Sequence, residues 1–225
     1  MRDRRSIAGD VDFLGLLSED ARSRILVGAH SFTLPAGAIT YLPHTLVADV
    51  VEAGLVRIFL SSADGRQASF AYVHAPSFYG APTIAGPGMP TSGQTLTETR
   101  LIRLDARHVF ALFEEDLEVA RGLARVMASR INQAARLVTI RTLGTVRERV
   151  AYDLLERASD EQLRGGTSRF RVTHEELAES IGSAREVISR TLAGLRRAGV
   201  LNVTPRVVEV IDMELLAAIV EGLVD

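Results

Sequence analysis

Residues 173–201 read THEELAESIGSAREVISRTLAGLRRAGVL, two amphipathic runs split by Gly-Ser, the second studded with arginines. Thr173-x-x-Glu176 is a capping box, in which hydroxyl and carboxylate each satisfy an orphan amide at a helix start. It opens a helix that buries Leu177, Ala178 and Ile181. Gly182 supplies the left-handed residue that ends it. Ser183-x-x-Glu186 is a further capping box that opens the next helix one residue later. Two helices this close across a glycine turn must cross steeply, which is helix-turn-helix geometry.

On the second helix Val187, Ile188, Thr191, Leu192 and Leu195 form the buried side, leaving Arg185, Glu186, Ser189 and Arg190 near its start. Those are residue types that read base edges: Arg forks onto guanine O6 and N7, and Glu accepts from cytosine N4. After the helix, VLNV, TPR and VVEVI predict a strand, a turn and a strand, a wing with Thr204 and Arg206 placed for phosphate. Thr173 and Ser183, at the two helix starts, are further backbone-contact candidates. A helical hairpin with surface salt links could use the same two helices. The set of cap, glycine turn, Arg-Glu-x-x-Ser-Arg and winged hairpin favours DNA.

Net charge is only −2 over 225 residues, and the part from Thr145 onward carries 11 Arg against 14 Asp plus Glu. A DNA reader here must concentrate positive charge locally. All basic residues are Arg, which reflects codon usage more than chemistry. The absence of cysteine excludes disulfides, Cys-ligated zinc and iron–sulfur clusters. No apolar run approaches the roughly 18–20 residues of a membrane span, and residues 1–15 lack a secretory core, so a cytoplasmic protein without membrane partners is expected.

Working backward from the quoted stretch, Gly144 and the capping box Thr145-x-x-Glu148 place a hinge at Leu143–Thr145, followed by a helix over Val146–Ala158, the polar loop SDEQLRGGTS and a short strand FRV. Before the hinge, Leu117, Ala120, Ala124, Met127, Ile131, Ala134 and Val138 step by three and four, a heptad seam on one helix from Glu114 to Leu143. Leu123, Val126 and Leu137 offer a second stripe. A helix packed only on its own sheet is one reading. The other gives one stripe to the sheet and one to a partner subunit, and a homodimer is expected on that basis. Residues 31–104 read as short strands broken by turn residues, an antiparallel sandwich or small barrel, with Leu96, Glu98, Arg100 and Ile102 alternating on a half-buried strand. Asp10–Val27 has helical spacing. The organisation is therefore α+β: residues 1–113 an antiparallel β domain with an N-terminal helix, 114–144 a dimerisation helix and hinge, 145–225 the reader.

The chain resembles the CRP/FNR family of bacterial transcription regulators, most specifically in VTHEELAESIGSAREVISRTLAGLRRAGVL and VRERVAYDLLERA, more loosely in LPAG (34–37), AGLVRIFL (53–60) and ADGRQASFAYVHAPSFYG (63–80). The resemblance implies a jelly-roll-like sensor β-roll, a homodimer joined by the long helix, and an inverted-repeat operator, with RNA polymerase as a further candidate partner. It implies that Glu186 and Arg190 read a TGA-cored half-site, with Arg185 a third base contact. Ser189 matches the FNR-like branch and Arg185 the CRP-like branch, which leaves the outer bases open.

The sensor departs from the family's cyclic-nucleotide pattern. Where Phe-Gly-Glu is expected the chain has Phe78-Tyr79-Gly80-Ala81-Pro82, and where Arg-Ser or Arg-Thr is expected it has about Met89-Pro90. Nothing cationic lies between Ala81 and Gln94, and the long helix offers Arg130 and Ile131 to the base. Cyclic AMP is not expected as the effector. Haem stays open through His30, His44, His74 and His108, although the family's carbon monoxide sensor pattern is missing around Phe78–Ala81. A small effector near Phe70, Tyr72, Phe78, Tyr79 and Arg130, and no effector at all, are both open. A second class of function is a sensor whose winged helix contacts protein. No phosphate loop, nucleophile-and-base pair or paired carboxylates support an enzyme.

Overall fold

The computed structural model describes residues 11–204 and 206–222. The chain divides into two compact units, Met1–Ala134 and Ala135–Asp225. In the first, α1 (Glu19–Ile25) precedes β1 (His30–Leu34), β2 (Ile39–Tyr41), β3 (Asp49–Ala53), β4 (Leu55–Ser61), β5 (Gln67–His74), β6 (Ser77–Tyr79), α2 (Ala81–Ala85), β7 (Thr91–Thr95), β8 (Thr99–Arg103) and α3 (Ala106–Glu115). Then α4 (Leu117–Leu143) runs across the division between the units. The strands form two four-stranded antiparallel sheets, β1-β8-β3-β6 and β2-β7-β4-β5, the antiparallel roll expected of residues 31–104.

Strand alternation divides the core of this unit. Val51, Val56, Ile58, Val73, Tyr79 and Leu101 fill the space inside the roll. Their strand neighbours Val50 and Phe78 point the other way, onto Phe13, Ile25, Val109, Leu123 and Val126 of the flanking helices. The Phe13 and Phe78 rings meet at a tilt of 44° with centroids 4.9 Å apart. The expected alternation Leu96–Ile102 is not one strand. β7 ends at Thr95 and β8 begins at Thr99, so Leu96 belongs to the bend between them; it is buried there, and on β8 the buried apolar position is Leu101.

Two helices expected as continuous are broken by caps. Asp10–Val27 contains a 3-10 turn, Leu14–Leu16, and then α1, whose start is capped by the Ser18 hydroxyl accepting from the Ala21 amide. The helix expected from Glu114 is α3 and α4, separated at Asp116. The Asp116 carboxylate accepts from the amides of Glu118 (2.8 Å) and Val119 (3.3 Å), and Arg24 holds its other oxygen at 2.7 Å. A carboxylate that caps forward amides starts a helix rather than continuing one.

On α4 the buried stripe is Val119, Leu123, Val126, Arg130, Gln133, Leu137 and Ile140. The heptad seam lies beside it: Ala120, Met127 and Ala134 are half-buried, Ala124 is exposed, and Leu117, Ile131 and Val138 are 62%, 66% and 64% exposed.

The second unit holds α5 (Val146–Leu163), β9 (Arg169–Arg171), α6 (His174–Ile181), α7 (Arg185–Arg197), β10 (Leu201–Thr204), β11 (Val207–Val210) and α8 (Met213–Val220). α5 starts at the Thr145 capping box but runs past the expected end at Ala158, because Ala158, Ser159 and Gln162 remain buried through the segment expected as loop. Leu154, Leu155, Ile188, Leu192, Leu195, Leu216 and Ala217 are all buried in this unit. The three strands pair antiparallel in the order β10-β11-β9. Among the described residues no helix is long and apolar enough to cross a membrane.

Candidate nucleic-acid interface

The helix-turn-helix assembles from local chemistry. The Thr173 box forms: its amide and hydroxyl donate to the Glu176 carboxylate at 2.6 and 2.9 Å, and the Glu176 amide returns to the Thr173 hydroxyl at 3.1 Å. Those donations from the Thr173 backbone and side chain hold the Glu176 carboxyl below its ordinary pKa. Gly182 ends α6 at φ 66°, a left-handed conformation. The Ser183 amide then folds back to the Ala178 carbonyl at 2.9 Å. The expected Ser183–Glu186 capping box does not form: the cap of α7 is Ala184, with no side-chain hydrogen bond. Ser183 is one residue too early to cap, because its backbone is committed to closing α6.

Ile188, Leu192 and Leu195 anchor α7, while Val187 and Thr191 are only half-buried. Arg185, Glu186 and Arg190 are exposed together near its start, and Ser189 is half-buried beside them. Arg185 and Glu175 approach only to 3.9 Å with both side chains mostly in solvent. A pair that loose contributes little and leaves the guanidinium available. Thr204 and Arg206 are exposed at the wing turn, Arg206 at φ 65°. Thr173 and Ser183, the other two backbone-contact candidates, are half-buried at the starts of the two runs. Pro205, expected in the wing turn, lies outside the described residues.

Several positioning residues carry no sequence signature. From α5, Arg149 donates to the Ile181 carbonyl at 2.8 Å, and Asp153 joins Ser180 (2.8 Å) to Arg157 (2.6 Å), which fixes α6 on α5. His174 Nδ1 lies 2.8 Å from Ser189 Oγ, joining α6 to α7. Arg171 sits opposite Val207, beside the wing turn, and is exposed. Only contacts between segments distant in sequence reveal these roles.

In the β-roll, Tyr41, Ile58, Phe70, Tyr79, Met89 and Arg130 are among the residues around a cavity of about 30 Å³. That is room for about one water, whereas pockets for drug-sized ligands span roughly 300–1,000 Å³. Two expected lining residues are elsewhere. Phe78 neighbours Tyr79 on a strand and therefore faces the helix layer. Tyr72 alternates with Ala71 and Val73 and so faces the other way; a bulge at Phe70, where Ile58 pairs Ala71 and Phe59 pairs Ser69, brings Phe70 inside with them. Arg130 is buried, donating to Gln133 Oε1 (2.8 Å), Ser77 Oγ (2.7 Å) and the Phe78 carbonyl (3.1 Å). Tyr79 donates to Asp49 at 2.8 Å, and burial first, then the Asp49 charge, push its phenol well above its ordinary pKa. Burial likewise moves Tyr41 up to about 12. His74 is buried at the end of β5 and does not line the cavity. Among the described residues no group of three His, Cys, Asp or Glu could hold a metal ion.

An antiparallel β-roll followed by a long helix and a winged helix-turn-helix defines a class of regulatory DNA-binding proteins. Residues 148–219 match the Crp-like helix-turn-helix domain. The chain is 31% identical to the cyclic AMP receptor protein of Thermus thermophilus over 77% of this chain and 79% of that protein. It is 33% identical to the transcriptional regulator LdrP of the same species over 74% of this chain and 83% of that one. A CRP/FNR-family structure from Eubacterium rectale superposes with a TM-score of 0.59 at 20% identity, covering 91% of this chain and 95% of that one. The chain belongs to the CRP/FNR family of transcription regulators.

Proposed function

We propose that this regulator binds DNA as a homodimer, one α7 per half-site of an inverted repeat with TGA-cored halves, without cyclic AMP as its effector. In this reading residues 1–113 are the sensor, 114–144 the pairing helix and 145–225 the reader, and the protein acts in the cytoplasm. The observation that carries it is the joint exposure of Arg185, Glu186 and Arg190 at the start of a helix whose opposite side is buried. The α7 amides left without a side-chain cap support the same reading, because an open helix N-terminus accepts a backbone phosphate. Thr204 and Arg206 would then hold the flanking backbone. The exposed Leu117, Ile131 and Val138 support pairing through α4.

The Ala81 methyl at the position of the family's ribose-binding carboxylate, and the 30 Å³ cavity, both argue against a nucleotide. The experiment is selection from a randomised duplex pool by the ligand-free full chain. Enrichment of an inverted repeat with TGA-cored halves is the expected result. Salt-insensitive, sequence-blind retention would instead favour a winged helix that contacts protein, since phosphate-binding proteins lose affinity steeply with salt. A large rise in thermal midpoint with cyclic AMP would overturn the effector part alone.

A further inference from the structure

His174 opens α6 and Ser189 lies in the second turn of α7, yet Nδ1 of one is 2.8 Å from Oγ of the other. A hydroxyl has one hydrogen to donate and two lone pairs to accept with. When the imidazole proton is on Nε2, Nδ1 accepts the Ser189 hydrogen, and Ser189 offers the groove only lone pairs. When Nδ1 carries a proton, as it must in the imidazolium, it donates to Ser189 Oγ and the hydroxyl hydrogen is released. The first state suits the amino groups of adenine and cytosine; the second suits guanine O6 and N7, thymine O4 and adenine N7, and leaves cytosine, which has only a donor in the major groove, without a partner.

We propose that His174 is a positioning residue that sets the hydrogen-bonding sense of Ser189, so that the base preferred opposite Ser189 changes with pH. This inference rests on the DNA-reading function proposed above. Charged groups on the elements around this pair include Glu175, Glu176 and Glu179 on α6, Arg185, Glu186, Arg190, Arg196 and Arg197 on α7, Arg171 on β9, Arg206 at the wing turn, and Asp153 and Arg157 on α5. The Glu176 carboxyl is held ionised first by Thr173 and also feels Arg157 and Arg206. Carboxylates and guanidinium groups as classes keep one charge between about pH 5.5 and 8, whereas imidazole does not.

The test is pool selection with the full chain at about pH 8 and about pH 5.5, at one ionic strength, for the wild type, His174→Asn and Ser189→Ala. In the wild type, preference at one half-site position should move from cytosine toward guanine or thymine by about five-fold, the worth of one hydrogen bond. His174→Asn keeps a hydrogen-bonding atom near the Nδ1 position but cannot change charge, so a preference should remain with no pH shift. Ser189→Ala should lose both while still enriching the rest of the site, which separates this pair from the histidines of the sensor roll. A wild-type preference identical at both pH values, or a shift that survives Ser189→Ala, overturns the inference and leaves the DNA reading intact. Failure of every chain to enrich any motif at either pH overturns both.

Discussion

Arg190 shows how much a single side chain can be asked to do. Its guanidinium is exposed one turn beyond Glu186, on a helix whose other side is locked by Ile188 and Leu192. Arg190→Ala should cost about 1–3 kcal/mol on a selected site and relax the preference at one base pair, read by titrating matched and mismatched duplexes. Equal weakening on every sequence would make Arg190 a phosphate contact instead. Asp49 is the structural counterpart, fully buried and accepting from Arg103 Nε (2.9 Å), Arg103 Nη2 (2.7 Å) and the Tyr79 hydroxyl. Asp49→Ala leaves the buried Tyr79 hydroxyl without its acceptor, while Arg103 still reaches solvent, and should destabilise the roll by about 1–3 kcal/mol, measured by denaturant unfolding. Neither Asp49 nor Arg103 belongs to a motif. They are 54 positions apart and meet only because β3 pairs with β8.

At the scale of elements, capping decides where helices start. The boxes at Thr145 and Thr173 were legible because Thr-x-x-Glu states both halves of the cap within four residues. The same pattern at Ser183 failed because the preceding helix had already claimed the Ser183 backbone. Burial opposes ionisation of Glu148, but the Thr145 amide and hydroxyl and the Arg136 guanidinium outweigh it and hold the carboxyl below the ordinary range. A carboxylate with a depressed folded pKa contributes stability above its unfolded pKa and loses it as pH falls through the folded value. The start of α5 should therefore weaken in the acid range, below the usual glutamate pKa. Thr145→Ala should cost about 1 kcal/mol near neutrality and flatten that acid dependence, followed by circular dichroism melts against pH.

For the whole molecule, the question is what covers α4. Its buried stripe includes Val119, Leu123 and Val126 of the roll's helix layer, and the seam beside it leaves Leu117, Ile131 and Val138 in solvent on a single chain. If α4 pairs two subunits, Ile131→Asp with Val138→Asp should sediment as a monomer. The same variant should keep its thermal midpoint within a few degrees and bind an inverted repeat far more weakly than the wild type, because two linked readers gain effective concentration that one lacks. A variant that stays dimeric would place the subunit contact elsewhere.

The helix-turn-helix, the wing and the change from strand to helix near Asp105 were written in local signals: caps, a glycine at a left-handed position, and the periods of hydrophobic residues. Local patterns suffice for elements because backbone hydrogen bonding and side-chain period act over a few residues. They could not say that Phe78 and Tyr79 face different cores, that a bulge brings Phe70 inside while Tyr72 stays out, or that Asp116 splits the long helix. Nor could they join His174 to Ser189, which depends on how steeply α6 and α7 cross. Element identity was determined by the sequence itself. Which side chains share a cavity, a cap or a proton was decided by tertiary packing, because those groups are brought together only when distant segments pair.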